Sequence, residues 1–419
     1  MAPGTVRHTP RLTRALFPLG LLFLAVGIST ALVMPFLSLF LSTDVEAGPL
    51  KVTVFLIVAP LSGVLGSTVV GRLSDRGPVR RLLLIGGALA GMAGCALTAV
   101  VRDYWILLGL TVTALAVANS LFPQSFAYAR QVLERDAPDR AAMGISGLRT
   151  VFSLAWVAGP PLAAFLLATG GFTWVYGGAA IMYGLAAVVG ICWLDEVGAP
   201  AAAPATDDAG AVDAPDAARW TLLLTAAAFT LMQTPLTLAV QALPLFIRTD
   251  LGGEVSDAGL VLGLCAALEI PLMLGLGVLS TRLPLRLLLF AGAGCGAAYY
   301  ALTAVATSVW VLVGAQVLNA LFIAAVSGLG ITYMQDMLPR HPGRATTLFT
   351  NSFPLGAMLA GPLFGVAQHF GYRLAYVICT ALCLAGLALL TVVRPGTGYR
   401  GSRARTGRTD STSGYRRPS

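Results

Sequence analysis

Charge is what this 419-residue chain has least of. Only 11% of its residues are Asp, Glu, Lys or Arg, and Lys51 is the single lysine among 27 basic residues; soluble domains carry about 25% charged residues. With 57% hydrophobic residues and a mean hydropathy of +0.80, an ordinary water-soluble fold is excluded. Histidine is nearly absent: His8, His341 and His369 stand far apart and offer no metal-ligand or hydrolytic spacing. The six cysteines (Cys95, Cys192, Cys265, Cys295, Cys379, Cys383) all fall in apolar stretches, without the paired spacing of a metal site, a redox motif or a disulfide framework, and read as small core residues. No phosphate-binding loop of the Walker type occurs, which leaves ATP coupling unsupported. The expectation is therefore a non-enzyme with no cofactor and no metal. The net charge of +8 would suggest nucleic acid in a soluble protein, but here it follows membrane topology, and no nucleic-acid partner is expected.

What is there is apolar sequence in lengths that cross a bilayer. Runs of about 20 residues suffice for a core about 30 Å thick, and they recur near 15–41, 51–71, 82–101, 104–129, 143–168, 173–194, 219–247, 257–280, 286–306, 308–335, 345–367 and 373–393. The first is too long, and lacks the cleavage site, of a signal peptide. Twelve spans put both termini on one side. With that side cytoplasmic, 22 of the 27 basic residues lie on it; Lys51, Arg102, Arg248 and Arg373 lie outside and Arg149 lies within a span. The positive-inside rule thus predicts a multi-pass protein of the cell membrane with both termini cytoplasmic. Residues 1–194 form one six-helix half and 219–393 the other. Between them, 195–218 is an acidic Ala/Pro linker that cannot build a core, and 394–419 is an Arg/Gly/Ser-rich tail whose basic residues suit anionic lipid. Beyond the lipid bilayer no protein partner is called for, and a monomer is expected.

The two halves are copies. GRLSDRGPVRRLL from Gly71 aligns with GVLSTRLPLRLLL from Gly277 at an offset of 206, keeping Gly, Leu, Ser, Arg, Pro and a second Arg in register. Asn119, Leu121 and Phe122 match Asn319, Leu321 and Phe322. Ala158-Gly159-Pro160 matches Ala360-Gly361-Pro362, and Gly171 and Tyr176 match Gly371 and Tyr376. Parallel repeats of this kind mark one transporter architecture.

The loop Gly71-Arg72-Leu73-Ser74-Asp75-Arg76, closed by Arg80-Arg81, resembles the signature loop of the major facilitator superfamily. It is one residue longer than the common pattern, and the Asp is replaced by Thr281 in the second copy. Three further stretches resemble the bacterial sugar efflux transporter family: Ser153–Pro161, Leu268-Glu269-Ile270-Pro271 and Ala345–Ser352. The opening Pro35–Leu41 and the pattern Pro123–Ala127 agree with it. The resemblance implies an all-α membrane fold of two pseudo-symmetric six-helix halves. It also implies export of sugars or glycosides against inward proton movement by alternating access, with small sugars and protons as the partners. Asp75, Arg76, Arg80 and Gly71 would then belong to a loop that governs access rather than substrate choice.

From the residues themselves, Glu269 is the strongest candidate. It sits mid-span with no charged neighbour on its own helix, and a carboxylate there costs about 2.5–3.5 kcal/mol, so it faces a cavity, pairs, or holds a proton. Arg149 lies on one helical face with Ser146, Ser153, Trp156 and Pro160. It either works with substrate and proton or snorkels to the headgroups. Asn119, Gln124, Gln233, Thr237, Gln241, Gln316, Asn319 and Asn351 supply uncharged donors and acceptors that suit hydroxyl-rich ligands, and each equally suits helix-to-helix hydrogen bonding. Gly159-Pro160 and Gly361-Pro362 weaken helical hydrogen bonding and are candidate bends for rocking. A drug exporter of the same fold and a non-transporting membrane sugar sensor are the competing readings.

Overall fold

The structure, a computed structural model, describes residues 9–74, 76–77, 79–196 and 216–393. Asp75, nearly all of the linker and the tail from 394 lie outside the described residues. All regular structure among them is helical. Helix α1 covers Thr9–Val33 and continues through a 3-10 turn, Met34–Phe36, into Leu37–Thr43. Then follow α2 (Pro49–Ser74), α3 (Arg80–Val100) and α4 (Tyr104–Asp136), the last widened by a π turn at Thr111–Leu115.

The helical run Ala141–Cys192 is two helices. Gly170 (φ −144°, ψ 15°) and Gly171 (φ 65°, ψ −165°) leave helical geometry, and the latter conformation suits a residue without a Cβ. We call its parts α5 (141–169) and α6 (172–192). The second half holds α7 (Arg219–Asp250), α8 (Val255–Leu279), α9 (Leu285–Ala304), α10 (Val309–Met337), α11 (Pro342–Phe370) and α12 (Arg373–Val392). Ten helices of the described residues are long and apolar enough to cross a membrane. The break at Gly170-Gly171 makes eleven of them. Helix α11, made less apolar by Thr350, Asn351, Ser352, Gln368 and His369, is the twelfth by length.

Small residues set the helix contacts. A Cβ on Gly63 of α2 would lie 2.9 Å from the Asn119 amide, and one on Gly356 of α11 would lie 2.9 Å from the Thr234 nitrogen, so each glycine lets a neighbour come close. Five of the six tryptophans sit near helix ends and are exposed: Trp105, Trp174 and Trp310 near one end of the bundle, Trp193 and Trp220 near the other. Amphipathic rings at two levels are what a bilayer's two interfaces select.

The duplication is visible in side-chain architecture. At the end of the bundle opposite the start of α1, which we call the far end, Arg102 pairs with Asp44 at 3.4 Å and lies 5.3 Å over the Phe40 ring. Its Nη1 donates to the carbonyls of Thr98 and Ala99 at 3.0 and 3.1 Å, capping α3. In the second half Arg373 pairs with Asp250 at 3.4 Å, lies 5.5 Å over Phe246, and caps α9 at Ala304 and Ala306 at 3.0 and 2.8 Å. Phe40 and Phe246 each pack a tyrosine, Tyr176 and Tyr376, with centroids 4.8 Å apart. The arginine comes from the end of α3 in one copy and the start of α12 in the other. Thr173, the counterpart of Arg373, accepts from Arg102 at 3.2 Å. At the near end Arg81 caps α6 at Gly190 and Ile191 (3.1 and 2.8 Å), while Arg286 caps α12 at Leu390 and Val393 (3.0 and 3.1 Å). Cations belong at these carbonyl-rich helix ends.

Candidate functional site

Among the described residues two long seams, α2 against α11 and α5 against α8, and a shorter junction of α1 with α7 join the halves. Across the first, a Cβ on Gly361 would meet the Ile57 nitrogen at 3.2 Å. Across the second, Cβ atoms on Gly259 and Gly263 would meet the carbonyl oxygens of Pro160 and Val157 at 2.7 and 2.8 Å. Among the described residues, every such glycine approach lies in the far part of the bundle, as do the hydrogen bonds of Gln241 to Met34 and Ser38 and of Gln368 to Ser42. Towards the near end the helices of these seams carry exposed polar side chains, Ser146 and Arg149 on α5 and Asn351 on α11. The far contacts close that end, and the polar side chains of the near end line the way in that the proposal below uses.

Glu269 stands half-buried on α8 at the inner margin of that opening, and the charge of Arg149, from the other half, reaches its carboxyl. Ser153 and Trp156 follow Arg149 along α5, both half-buried. One turn before Glu269, the Cys265 sulfur accepts from Asn319 Nδ2 at 3.2 Å. The same nitrogen donates to Gln316 Oε1 at 3.1 Å, and Gln316 Nε2 donates to the Tyr299 hydroxyl at 3.1 Å. Asn319 Oδ1 is buried with no hydrogen-bond partner. A buried acceptor left open costs about 1–3 kcal/mol, so this carbonyl is a ready receiver for a hydroxyl or an acid proton.

The first half keeps the asparagine but not its surroundings, with Ala59 and Ala116 where the second half has Cys265 and Gln316. Helices α2 and α8 share the offset of 206, which sets Gly63 opposite Glu269, and the space the missing Cβ leaves is taken by the Asn119 amide. Asn119 itself is exposed at the turn that follows the π segment of α4.

The other sequence candidates are spread over different tasks. Gln233 donates to the Ser352 hydroxyl at 3.0 Å and ties α7 to α11. Thr237 is buried with its hydroxyl unpartnered, as is Gln124 at Oε1, and the Gln124 amide lies beside Gly71, 4.0 Å from a Cβ there. Gln241 stands apart from Glu269, in the junction of α7 with α1 at the far end. Asn351 is exposed on α11. Arg80 is buried and donates to Ser74 at 2.8 Å, whereas Arg76 is exposed. At Gly159-Pro160 and Gly361-Pro362 the helices run on unbroken. Gly159 lies against the Ala31 backbone, 3.3 Å from its carbonyl carbon to a Cβ, and Pro362 is exposed.

Sequence reasoning missed two features. One is an aromatic cluster of Phe23, Phe122, Phe126 and Phe152 joining α1, α4 and α5, with centroids 4.6 to 5.0 Å apart. The i, i+4 pair Phe122/Phe126 was its readable signal. The other is the Ser38–Gln241 contact. Its signal was a further stretch of the repeat, Leu37-Ser-Leu-Phe40 and Thr43-Asp44 against Leu243-Pro-Leu-Phe246 and Thr249-Asp250, again offset by 206.

The twelve helices of the described residues, in two equivalent halves that meet along α2–α11 and α5–α8, agree with the family comparison: a model described as Major Facilitator Superfamily matches residues 19–297 and 225–417. The chain belongs to the major facilitator superfamily. It is accordingly a multi-pass membrane protein of a transporter family, as its signature loop and repeat implied. Sugar efflux transporter A of Dickeya chrysanthemi is 37% identical over 92% of this chain and 96% of its own length. Sugar efflux transporter B of Salmonella typhimurium is 35% identical over 86% and 92%. The crystal structure of the nucleoside transporter NupG superposes with a TM-score of 0.75 over 90% of this chain and 98% of that one, at 10% identity, a likeness of fold alone.

Proposed function

We propose that this protein exports sugars or glycosides from the cytoplasm across the cell membrane, driven by inward proton movement. The near end is then cytoplasmic, consistent with the arginines that cap α6 and α12 there. Substrate enters between the halves and meets polar groups from both: the Asn119 amide, the Ser153 hydroxyl and the Trp156 indole on one side, Asn319 and its hydrogen-bonded partners on the other. Amides serve neutral hydroxyl-rich ligands because each offers donors and an acceptor without a charge to desolvate.

Glu269 and Arg149 do the coupling. With the far end closed, the carboxyl can exchange its proton with the cytoplasm; with the near end closed, it exchanges with the outside. Substrate and proton each favour one arrangement of the halves, and that differential affinity moves the population between them. The observation that carries this reading is the lone carboxylate at the margin of the opening, facing an arginine of the opposite half. Two names of relatives support the sugar: both are called sugar efflux transporters.

The test is uptake of radiolabelled lactose into inverted membrane vesicles, with and without an imposed proton gradient. Gradient-driven accumulation by wild type that Glu269→Gln abolishes is the expected result. Wild-type vesicles that accumulate lipophilic cations but no lactose would overturn the sugar in favour of a drug exporter.

A further inference from the structure

In an uninterrupted α-helix the Ser38 N–H would donate to the Met34 carbonyl, four residues back. Helix α1 departs from that geometry over Met34–Phe36, around Pro35, and both backbone groups face the second half. The side chain of Gln241 meets them together: its Nε2 donates to the Met34 carbonyl at 2.8 Å and its Oε1 accepts from the Ser38 N–H at 3.1 Å. The Ser38 hydroxyl completes the junction by donating to the Gln241 backbone carbonyl. A carboxamide offers the same donor and acceptor as a peptide group, so one amide takes the place another would fill. Ser38 and Gln241 are 0% and 3% exposed, so water does not replace these bonds, and an unpaired backbone group inside a bilayer costs several kcal/mol.

The position of Gln241 follows from the repeat. At the offset of 206 that aligns Phe40 with Phe246 and Asp44 with Asp250, Gln241 is the counterpart of Pro35. Equivalent positions of two copies related by an axis along the membrane normal meet each other near that axis. One copy carries the residue that breaks the helix, and the other carries the residue that fills the break.

We propose that Gln241 is a gating residue that splices α1. While the far ends are together its amide completes the broken turn of α1, and when the halves part, α1 closes onto itself with a direct Ser38–Met34 bond. The two states thereby keep the same count of satisfied backbone groups, which leaves the switch free of the cost of baring an N–H and a C=O as the halves come apart. This rests on the alternating-access reading above.

The experiment uses the full chain in lipid nanodiscs with Cys192→Ser and Cys295→Ser, spin labels at Leu50→Cys and Ser256→Cys, and pulsed distance measurement between the far ends. Those two positions are equivalent in the repeat and exposed beyond the junction. Gln241→Leu keeps the bulk and removes the amide, and raises the long-distance fraction about tenfold, as expected for the loss of two buried hydrogen bonds from one state only. Ser38→Ala removes the hydroxyl bond alone, leaves the splice, and shifts that fraction by less than about threefold. If Gln241→Leu does not fold, Gln241→Asn, one methylene shorter and able to reach one backbone group but not both, gives the shift at reduced size.

An unchanged distribution in Gln241→Leu or Gln241→Asn overturns the splice, as does a shift in Ser38→Ala as large as that in Gln241→Leu, which would make the junction an ordinary latch. Failure of alternating access itself looks different: wild type then holds a single short distance at every pH and with saturating lactose, and the splice falls with it.

Discussion

Adding two methyl groups to α8 should hold the far end open. A Cβ on Gly263 lies 2.7 Å from Pro161 Cγ and 2.8 Å from the Val157 carbonyl oxygen; one on Gly259 lies 2.7 Å from both the Ala164 Cβ and the Pro160 carbonyl oxygen. Unstrained carbon contacts need about 3.5–4.0 Å, so α8 must withdraw from α5 by about 1 Å to admit them. The two glycines lie four residues apart on one face of α8, and a single withdrawal relieves both, so their costs do not simply add. Overpacking of this kind costs about 1–3 kcal/mol, and only in the state where the seam is shut. At the upper figure, Gly259→Ala with Gly263→Ala shifts the balance of states by about a hundredfold towards far-open. Gly275→Ala is the control, since a Cβ there meets nothing within 4 Å on the same helix. Distances between labels on Leu50→Cys and Ser256→Cys read the population, and lactose transport reads the consequence: the double variant is open and slow, the control is wild type in both. A double variant with wild-type distances and wild-type transport would show that the α5–α8 seam is not what closes the far end.

The duplicated clamps should behave as a pair. Arg102→Ala and Arg373→Ala each lose two helix-capping hydrogen bonds and a half-exposed ion pair, and each should lower stability in detergent by about 1–2 kcal/mol, read as a reduced melting temperature. Asp44→Asn and Asp250→Asn, which keep the arginine and its caps, should cost less than half as much. The thiols give an independent check: Cys192 is exposed and should take a maleimide label in the folded protein, whereas Cys95, Cys265, Cys379 and Cys383 are buried and should label only on denaturation. Rapid labelling of Cys379 would contradict the packing of α12 against α7.

The fold was legible because bilayer thickness and helix rise act on composition, and because the repeat preserved Gly, Pro, Arg and Asn at positions that hydropathy alone does not constrain. The break between α5 and α6 needed only Gly170-Gly171. The candidate site was legible where chemistry is costly, at Glu269 and Arg149, which the structure sets within electrostatic reach of each other across the halves. It was not legible where residue type leaves the choice of partner open. Gln233, Gln241 and Gln316 look alike in sequence, yet one ties α7 to α11, one crosses to α1, and one turns to Tyr299. An amide satisfies any neighbour with a donor or acceptor, so only the packing of helices decides which neighbour it has.

Comparison of the two copies separates frame from mechanism. Where the same load falls on both halves, the same device recurs even when its arginine comes from a different helix, as in the clamps at Phe40 and Phe246. The departures lie where the halves must behave unlike each other. Gly63 opposes Glu269, so a single carboxylate stands near the axis; a second one there would repel it, and two like charges sharing a site cannot both ionise readily. Pro35 opposes Gln241, so one helix is broken and the other supplies the repair. Thr281 opposes Asp75, so the loop's carboxylate is kept in one half only, while its arginines are kept in both. A symmetric frame can rock about its axis, but the proposed mechanism, with one proton site per cycle and one splice per closure, requires that these positions differ. Gly63→Glu is the substitution that tests this. With Glu269 retained it should impair transport by placing two carboxylates together, and combined with Glu269→Gly it should restore gradient-driven lactose accumulation at least in part. Gly63→Ala, whose Cβ would lie 2.9 Å from the Asn119 amide, is the steric control; failure of the exchange where that control still transports would mean that Arg149, which has no partner of its kind in the second half, fixes the side on which the carboxylate must stand.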